Sequence, residues 1–271
     1  MTTTAATIPL RRKTTFYGSL QIQLRVIGAL FMRDVIGKFG RDGLGFLWLF
    51  LEPMMFAVGV TFIMSFSVHS QGSIPIAAYI LTGYSCLVLW RNLVNRMMAG
   101  VASNQGLLYH RNVKIMDLLY ARGLMEISAS TVAFVFLSLV FAALGLVPLP
   151  DDPLKTFFGW VLYVWFSFSA GLIAAFMGSA NEVFDRVAHI AMYLSMPLTG
   201  GFVMVGWMPV EVQNILLMSP LVNAVEILRE GYFGMSVKAH YSVSYTVMVN
   251  LCFTLFGLIL VRNIHRQLLD T

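Results

Sequence analysis

Apolar residues fall along this chain in long runs separated by short polar stretches. Runs near the length of about 20 residues that a helix needs to cross a hydrocarbon core occur near residues 46–68, 76–97, 125–146, 157–178, 187–205 and 243–262. The pattern predicts an all-α, polytopic membrane protein with six transmembrane helices. An even number of spans puts both termini on one side. Residues 1–43 read as an N-terminal segment and residues 44–271 as the transmembrane domain. Within the first segment, Leu20, Leu24, Ile27 and Phe31 share one helical face while Gln21, Arg25 and Arg33 point elsewhere. That spacing predicts an amphipathic helix over about Phe16–Phe39, lying in the membrane interface with its basic residues near anionic headgroups.

Three segments depart from a plain apolar span. The fourth run carries small residues at helical spacing, Ser167, Gly171 and Ala175 beside Ala170, Ala174 and Gly178, which predicts close helix–helix packing. The fifth contains Pro197 and Gly200-Gly201, so it is not expected to be one straight helix. Residues 206–233 are more apolar than an aqueous loop should be, yet Pro220 breaks them into pieces too short to cross. Two short segments dipping into the outer leaflet as a re-entrant unit fit this pattern, provided protein buries their backbone.

Composition removes the soluble alternative. Hydrophobic residues make up 58% of the chain and charged residues only 11%, against about 25% charged in an ordinary soluble domain. The net charge of +5 would suit nucleic acid, but its placement argues for membrane orientation and against a nucleic-acid partner. Of 18 Lys and Arg, thirteen flank one side of the six runs. Only Lys155, Arg229 and Lys238 flank the other, and Arg91 and Arg96 lie in the second run. Basic loops stay in the cytoplasm, so a multi-pass inner-membrane protein with both termini cytoplasmic is expected. The first 43 residues hold no long apolar stretch, so no secretory signal is expected there. Cys86 and Cys252 sit in apolar runs and read as small hydrophobes rather than a disulfide pair.

The second run contains the residues with most chemistry. Tyr79 to Trp90 is only twelve residues, so a full crossing must include Arg91, Asn92, Asn95 and Arg96. An arginine at that depth faces a bundle interior or a wet cavity. With Trp90 these residues make a polar, cationic stripe suited to a pathway for an anionic or sugar-rich substrate. The other reading ends the span near Trp90 and makes them juxtamembrane anchors. Glu52 in the first run is either a partner for Arg91 or Arg96, or the cap of a helix that begins at Pro53.

Spans three to six carry no acidic residue near their centres, which leaves no proton or sodium relay. No catalytic signature and no cluster of metal ligands appears. The chain also lacks G-x-x-x-x-G-K-[ST]. It is therefore expected to be no enzyme and to hold no cofactor, with ATP and Mg bound by a partner subunit if it pumps. The segment 100–123 offers such a partner a mixed surface, with Leu107 and Leu108 beside Arg111, Lys114 and Asp117. Glu182 and Asp185 lie in a second, shorter loop.

Three segments carry a resemblance. FMRDVIGKFGRDGLGFLWLFLEP (Phe31 to Pro53), LTGYSCLVLWRNLVNRM in the second span and SPLVNAVEILREGYFG (Ser219 to Gly234) resemble the capsular polysaccharide export permeases. These are the KpsM-like branch of the ABC type 2 transporter transmembrane subunits. The resemblance implies a homodimer with two separate ATPase subunits, a periplasmic co-polymerase and an outer-membrane channel. It also implies a lipid-linked, acidic polysaccharide moved through a canal between the two copies. On the same resemblance, Leu107–Leu119 would be the coupling helix to the ATPase and 206–233 the periplasmic re-entrant segment. Trp90, Trp160, Tyr163, Trp165 and Tyr193 could stack on sugar faces. Related permeases for O-antigen, teichoic acid or another amphipathic substrate share the expected fold, so they are the alternative. A membrane-embedded transferase would need clustered Asp, Glu or His, which the sequence lacks.

The charge asymmetry makes a direct prediction about topology. A tag at Thr271 should be reachable only from the cytoplasm and a reporter at Gly72 only from outside, as read by site-directed labelling of intact cells. An externally accessible Thr271 would break the six-span arrangement.

Overall fold

The computed structural model describes residues 16–40, 47, 50–52, 54–56, 58–60, 62, 74–104, 113–180 and 182–267, and every regular element among them is helical. In chain order the α-helices are α1 (Phe16–Phe39), a short apolar stretch α2 (Phe50–Val60), α3 (Ile76–Met98), α4 (Ile115–Ala143) and α5 (Pro153–Ala180). Then come α6 (Glu182–Leu194), α7 (Val210–Leu216), α8 (Pro220–Phe233) and α9 (Val243–Gln267). Three of them, α4, α5 and α9, are long and apolar enough to cross a membrane. Helix α3 is 23 residues long, about 34 Å at 1.5 Å per residue, and carries its charged and carboxamide residues, Arg91, Asn92, Asn95 and Arg96, in its last third.

Helix α4 starts ten residues before the apolar run that announces it, at Ile115. The Lys114 amide donates to the Asp117 carboxylate at 3.4 Å, a cap that lets the helix begin in polar sequence. Residues 115–119 are therefore the first turn of a spanning helix and not the end of a separate short helix. Leu107, Leu108 and Arg111 lie outside the described residues. The fifth run also differs from a single span. Helix α6 begins at Glu182, stops at Leu194 after 13 residues, and gives way to a 3-10 turn at Met196–Thr199. Pro197 has no amide hydrogen for a helical bond, and Gly200 takes a left-handed φ of 75°, which a glycine adopts without steric cost. At about 20 Å, α6 is too short to cross by itself.

Residues 206–233 fold as the helix pair α7–α8, with Pro220 in the first turn of α8. Every residue of α8 except Glu230 is buried. Three of its polar side chains, at i, i+3 and i+6, explain how such a helix is tolerated. The Asn223 carboxamide donates to the Leu217 and Ser219 carbonyls at 2.7 and 2.9 Å and accepts from the Ser242 amide at 2.8 Å. Glu226 accepts from the amides of Val205 (3.2 Å) and His240 (3.3 Å). Arg229, fully buried, donates to the carbonyls of Val203 (2.8 Å) and Gly201 (3.0 Å) and lies 4.6 Å from the centre of the Tyr79 ring. A buried backbone group without a partner is expensive. Helix α8 thus supplies partners to the non-helical backbone on either side of it.

Helix α5 is central, packed on α3, α8 and α9. Its small residues are used as the sequence pattern predicts. A Cβ at Gly171 would strike Met97, and one at Gly178 would sit 2.6 Å from the Met98 carbonyl oxygen. Near the other end, a Cβ at Gly159 would lie 2.5 Å from the Leu228 backbone nitrogen. That obstacle is main chain in a buried helix and cannot move aside cheaply. We expect Gly159→Ala to destabilise the protein by about 1–3 kcal/mol. Gly28→Ala, on the open side of α1 with nothing within 4 Å, should be neutral or stabilising by up to about 1 kcal/mol. Thermal unfolding in detergent separates the two, and equal effects would contradict the packing described.

Candidate functional site

Over Leu81–Met98, α3 has six half-exposed residues: Tyr84, Val88, Arg91, Asn92, Asn95 and Arg96; all others there are buried. Spacings of three and four place them on one continuous stripe. All but Val88 carry a hydrogen-bonding group. The α2 stretch lies against this stripe at two points. Phe56 stacks on Tyr84, ring centres 3.9 Å apart and planes 13° from parallel, and Glu52 Oε1 meets Arg91 Nη2 at 2.7 Å. These contacts run in opposite directions along the two helices, so α2 is antiparallel to α3 here. Of the sequence readings of Glu52, the structure forms the pair with Arg91. That pair is partly open, with side-chain exposures of 31% for Arg91 and 38% for Glu52. Arg91 Nε also points to Asn92 Oδ1 at 3.5 Å.

Trp90 is on the other side of the helix, buried and stacked on Phe166 at 6.0 Å, so it does not line the stripe. Trp160 stacks on Phe134 and donates to Thr131, Tyr163 is buried, and Trp165 donates to Thr254. Tyr193 alone among those five aromatic candidates is exposed.

Arg96 belongs to a second cluster, which the sequence reading missed. Glu126 is buried to 1% exposure and holds Lys38 Nζ with both oxygens at 2.8 Å, while Arg96 Nε lies 2.9 Å from its Oε1. One turn earlier on α4, Arg122 donates to the Arg96 carbonyl (3.0 Å) and to Ser103 Oγ (2.9 Å), and its Nε lies 3.8 Å from Asp34. Arg33 also pairs with Asp34 at 2.7 Å, and Gln23 donates to Asp117 at 2.8 Å. The logic is two helices side by side in parallel. Helix α1 presents Asp34 then Lys38 at i,i+4, and α4 presents Arg122 then Glu126 at the same spacing with the signs reversed. That complementary pair of spacings was the available signal, hidden because Lys38 and Arg122 were counted only as orientation charges. The same packing turns Leu30 inward and leaves Leu20 and Leu24 of the expected apolar stripe exposed, with Ile22, Met32 and Ile36.

No family model matches the chain. Full-length relatives do. It is 38% identical over 250 residues, 92% of this chain and 94% of the relative, to the capsule polysaccharide export inner-membrane protein CtrC of Neisseria meningitidis serogroup B. The chain belongs to the capsule polysaccharide export inner-membrane proteins. BexB of Haemophilus influenzae is 34% identical over 252 residues, 93% of this chain and 95% of that one. The polysialic acid transport protein KpsM of Escherichia coli is 26% identical over 252 residues, with 93% and 98% covered. This is the family that the three sequence segments resemble.

In this capsule-export protein four of the residues considered for partner coupling, Lys114, Asp117, Glu182 and Asp185, lie among the described residues. Asp117 is buried beneath α1 on Gln23, Lys114 is exposed just before the start of α4, and Asp185 faces His189 on α6 at 4.0 Å. Glu182 is the first residue of α6.

The buried carboxylate of Glu126 makes a prediction. Glu126→Gln keeps the shape but leaves Lys38 and Arg96 facing each other without a counter-charge. It should cost about 1.5–3 kcal/mol, the range for hydrogen bonds to charged groups. Combined with Lys38→Met the loss should be less than additive, because both changes remove one interaction. Unfolding of the purified variants measures this, and strict additivity would show that the contact carries no coupling energy.

Proposed function

We propose that this chain is the permease subunit of an ABC exporter that moves lipid-anchored, acidic capsular polysaccharide across the bacterial inner membrane. The observation that carries this is identity of 38% and 34% to CtrC and BexB over more than nine-tenths of both chains, proteins named for capsule polysaccharide export. The sequence has no nucleotide-binding loop, so ATP is hydrolysed by a separate subunit. The runs at α2, α3, α4, α5, α6 with its following turn, and α9 are the six spans, and α7–α8 is a re-entrant segment on the periplasmic side. Two copies form the canal. Separate ATPases below, and a periplasmic co-polymerase and outer-membrane channel above, complete the path.

Deleting the gene should leave polysaccharide inside the cell and none at the surface, and the wild-type gene should restore it. Unchanged surface polysaccharide in the deletion strain would end this reading. The purified chain alone should neither bind nor hydrolyse ATP, and activity from a contaminant-free preparation would overturn the division of labour.

A further inference from the structure

The half-exposed stripe on α3 poses a problem that lipid cannot solve. Tyr84, Arg91, Asn92 and Asn95, with Val88 and Arg96, are half-exposed on one face while the other residues of Leu81–Met98 are buried, in a helix that the export reading places across the membrane. Charged and carboxamide groups at that depth face water or another polar surface. Taking the export reading as given, we propose that Arg91 is a binding residue for the anionic groups of the polymer, carboxylate or phosphate. Glu52 is its resident counter-ion, displaced each time an acidic sugar unit arrives.

The argument comes from how differently three arginines are held. Arg229 is fully buried and bound to two carbonyls. Arg96 is fixed to a carboxylate that is itself buried and shared with Lys38. Arg91 is tied by one short bond to a carboxylate that is itself 38% exposed. Its Nη1 makes no hydrogen bond among the described residues. Partly open ion pairs contribute little net energy, so another carboxylate can replace Glu52 at small cost. The planar fork of Arg matches carboxylate and phosphate geometry. Asn92, Asn95 and Tyr84 on the same stripe offer neutral groups of the kind that meet sugar hydroxyls. Exchange of one anion for another also gives the weak holding that a moving polymer needs, favourable enough to enter and weak enough to leave.

The test uses the full chain in lipid nanodiscs, with oligosialic acid free of any lipid anchor as the carboxylate probe. A phosphodiester-linked oligosaccharide is the phosphate probe, and carboxyl-reduced oligomer the neutral control. Glu52→Gln should bind the acidic probes about three- to five-fold tighter than wild type, since the competing carboxylate is gone. Arg91→Ala should bind about ten-fold weaker or not at all, Arg91→Lys should fall between, and added salt should weaken every acidic complex. The neutral oligomer should not follow this order. The sign of the Glu52→Gln effect decides even if Arg91→Ala fails to assemble. A pair that only braces the helices would make Glu52→Gln less stable and no tighter, and that result overturns the proposal. The neutral oligomer following the same order would overturn it too. Surface polysaccharide surviving deletion of the gene removes the export reading while leaving the nanodisc result intact. A capsule-negative deletion with no variant-dependent binding removes the anion site alone.

Discussion

A backbone group that is released from a helix and buried away from water must find a partner in the protein. Helix α8 is where this chain meets that demand. Its Asn223, Glu226 and Arg229 lie three residues apart on one face and supply donors and acceptors to residues 201–205, 217–219 and 240–242. The break after Thr199 would be prohibitive without them. Because the carbonyl of Gly201 also meets Gly83 of α3, the arrangement fixes the N-terminal part of α3 as well. Removal of a Cβ from both sides of that contact lets a helix and an irregular strand of backbone approach closely enough for Arg229 to reach across and rest on Tyr79.

The opposite end of α3 is held by charge instead. Parallel packing of α1 on α4 brings Asp34 to Arg122 and Lys38 to Glu126, and Arg96 of α3 joins through Glu126. Desolvating one carboxylate is costly, and two cations sharing it offset that cost. Both cations keep partial access to water, so the charges need not be buried in equal numbers. Helix α1 is thereby bound through its polar face, and its apolar residues Leu20, Leu24 and Ile36 remain outside.

Much of this was readable from sequence, for reasons that differ element by element. Helices α4, α5 and α9 announce themselves because continuous apolar runs have no alternative at that length. The stop near Pro197 also follows from residue type, whereas the pairing of Glu52 with Arg91 was one of the alternatives that residue type left open. Length was misjudged where polarity and burial part company. Helix α4 begins ten residues before its apolar run because its first turns are buried by protein and not by lipid, so hydropathy does not see them. Glu126, Asp34 and Arg122 were missed for the same reason. Each looks like a cytoplasmic loop charge until a second helix, 88 residues away in sequence, is laid beside it. Asn223, Glu226 and Arg229 read as part of a family segment, but their task depends on backbone whose irregularity the sequence does not display.

Helix α3 therefore connects three kinds of contact in order. In its N-terminal part Tyr79 and Gly83 are locked to the Arg229 assembly, and at its C-terminal end Arg96, Met97 and Met98 are locked to Glu126 and to the small residues of α5. Only the middle, from Tyr84 to Asn95, keeps one face open. Rotating the helix to expose or hide that face would break both ends at once, including the Tyr79 ring contact with a buried arginine and the Arg96 ion pair with a buried carboxylate. A change confined to the middle costs far less, because the Phe56–Tyr84 stack and the Glu52–Arg91 bond belong to a different helix and to partly solvated groups. The physical consequence is that exchange at Arg91 is more easily achieved by moving Glu52, or the α2 stretch that carries it, than by moving α3. In that arrangement α3 is the fixed wall and α2 the part that yields.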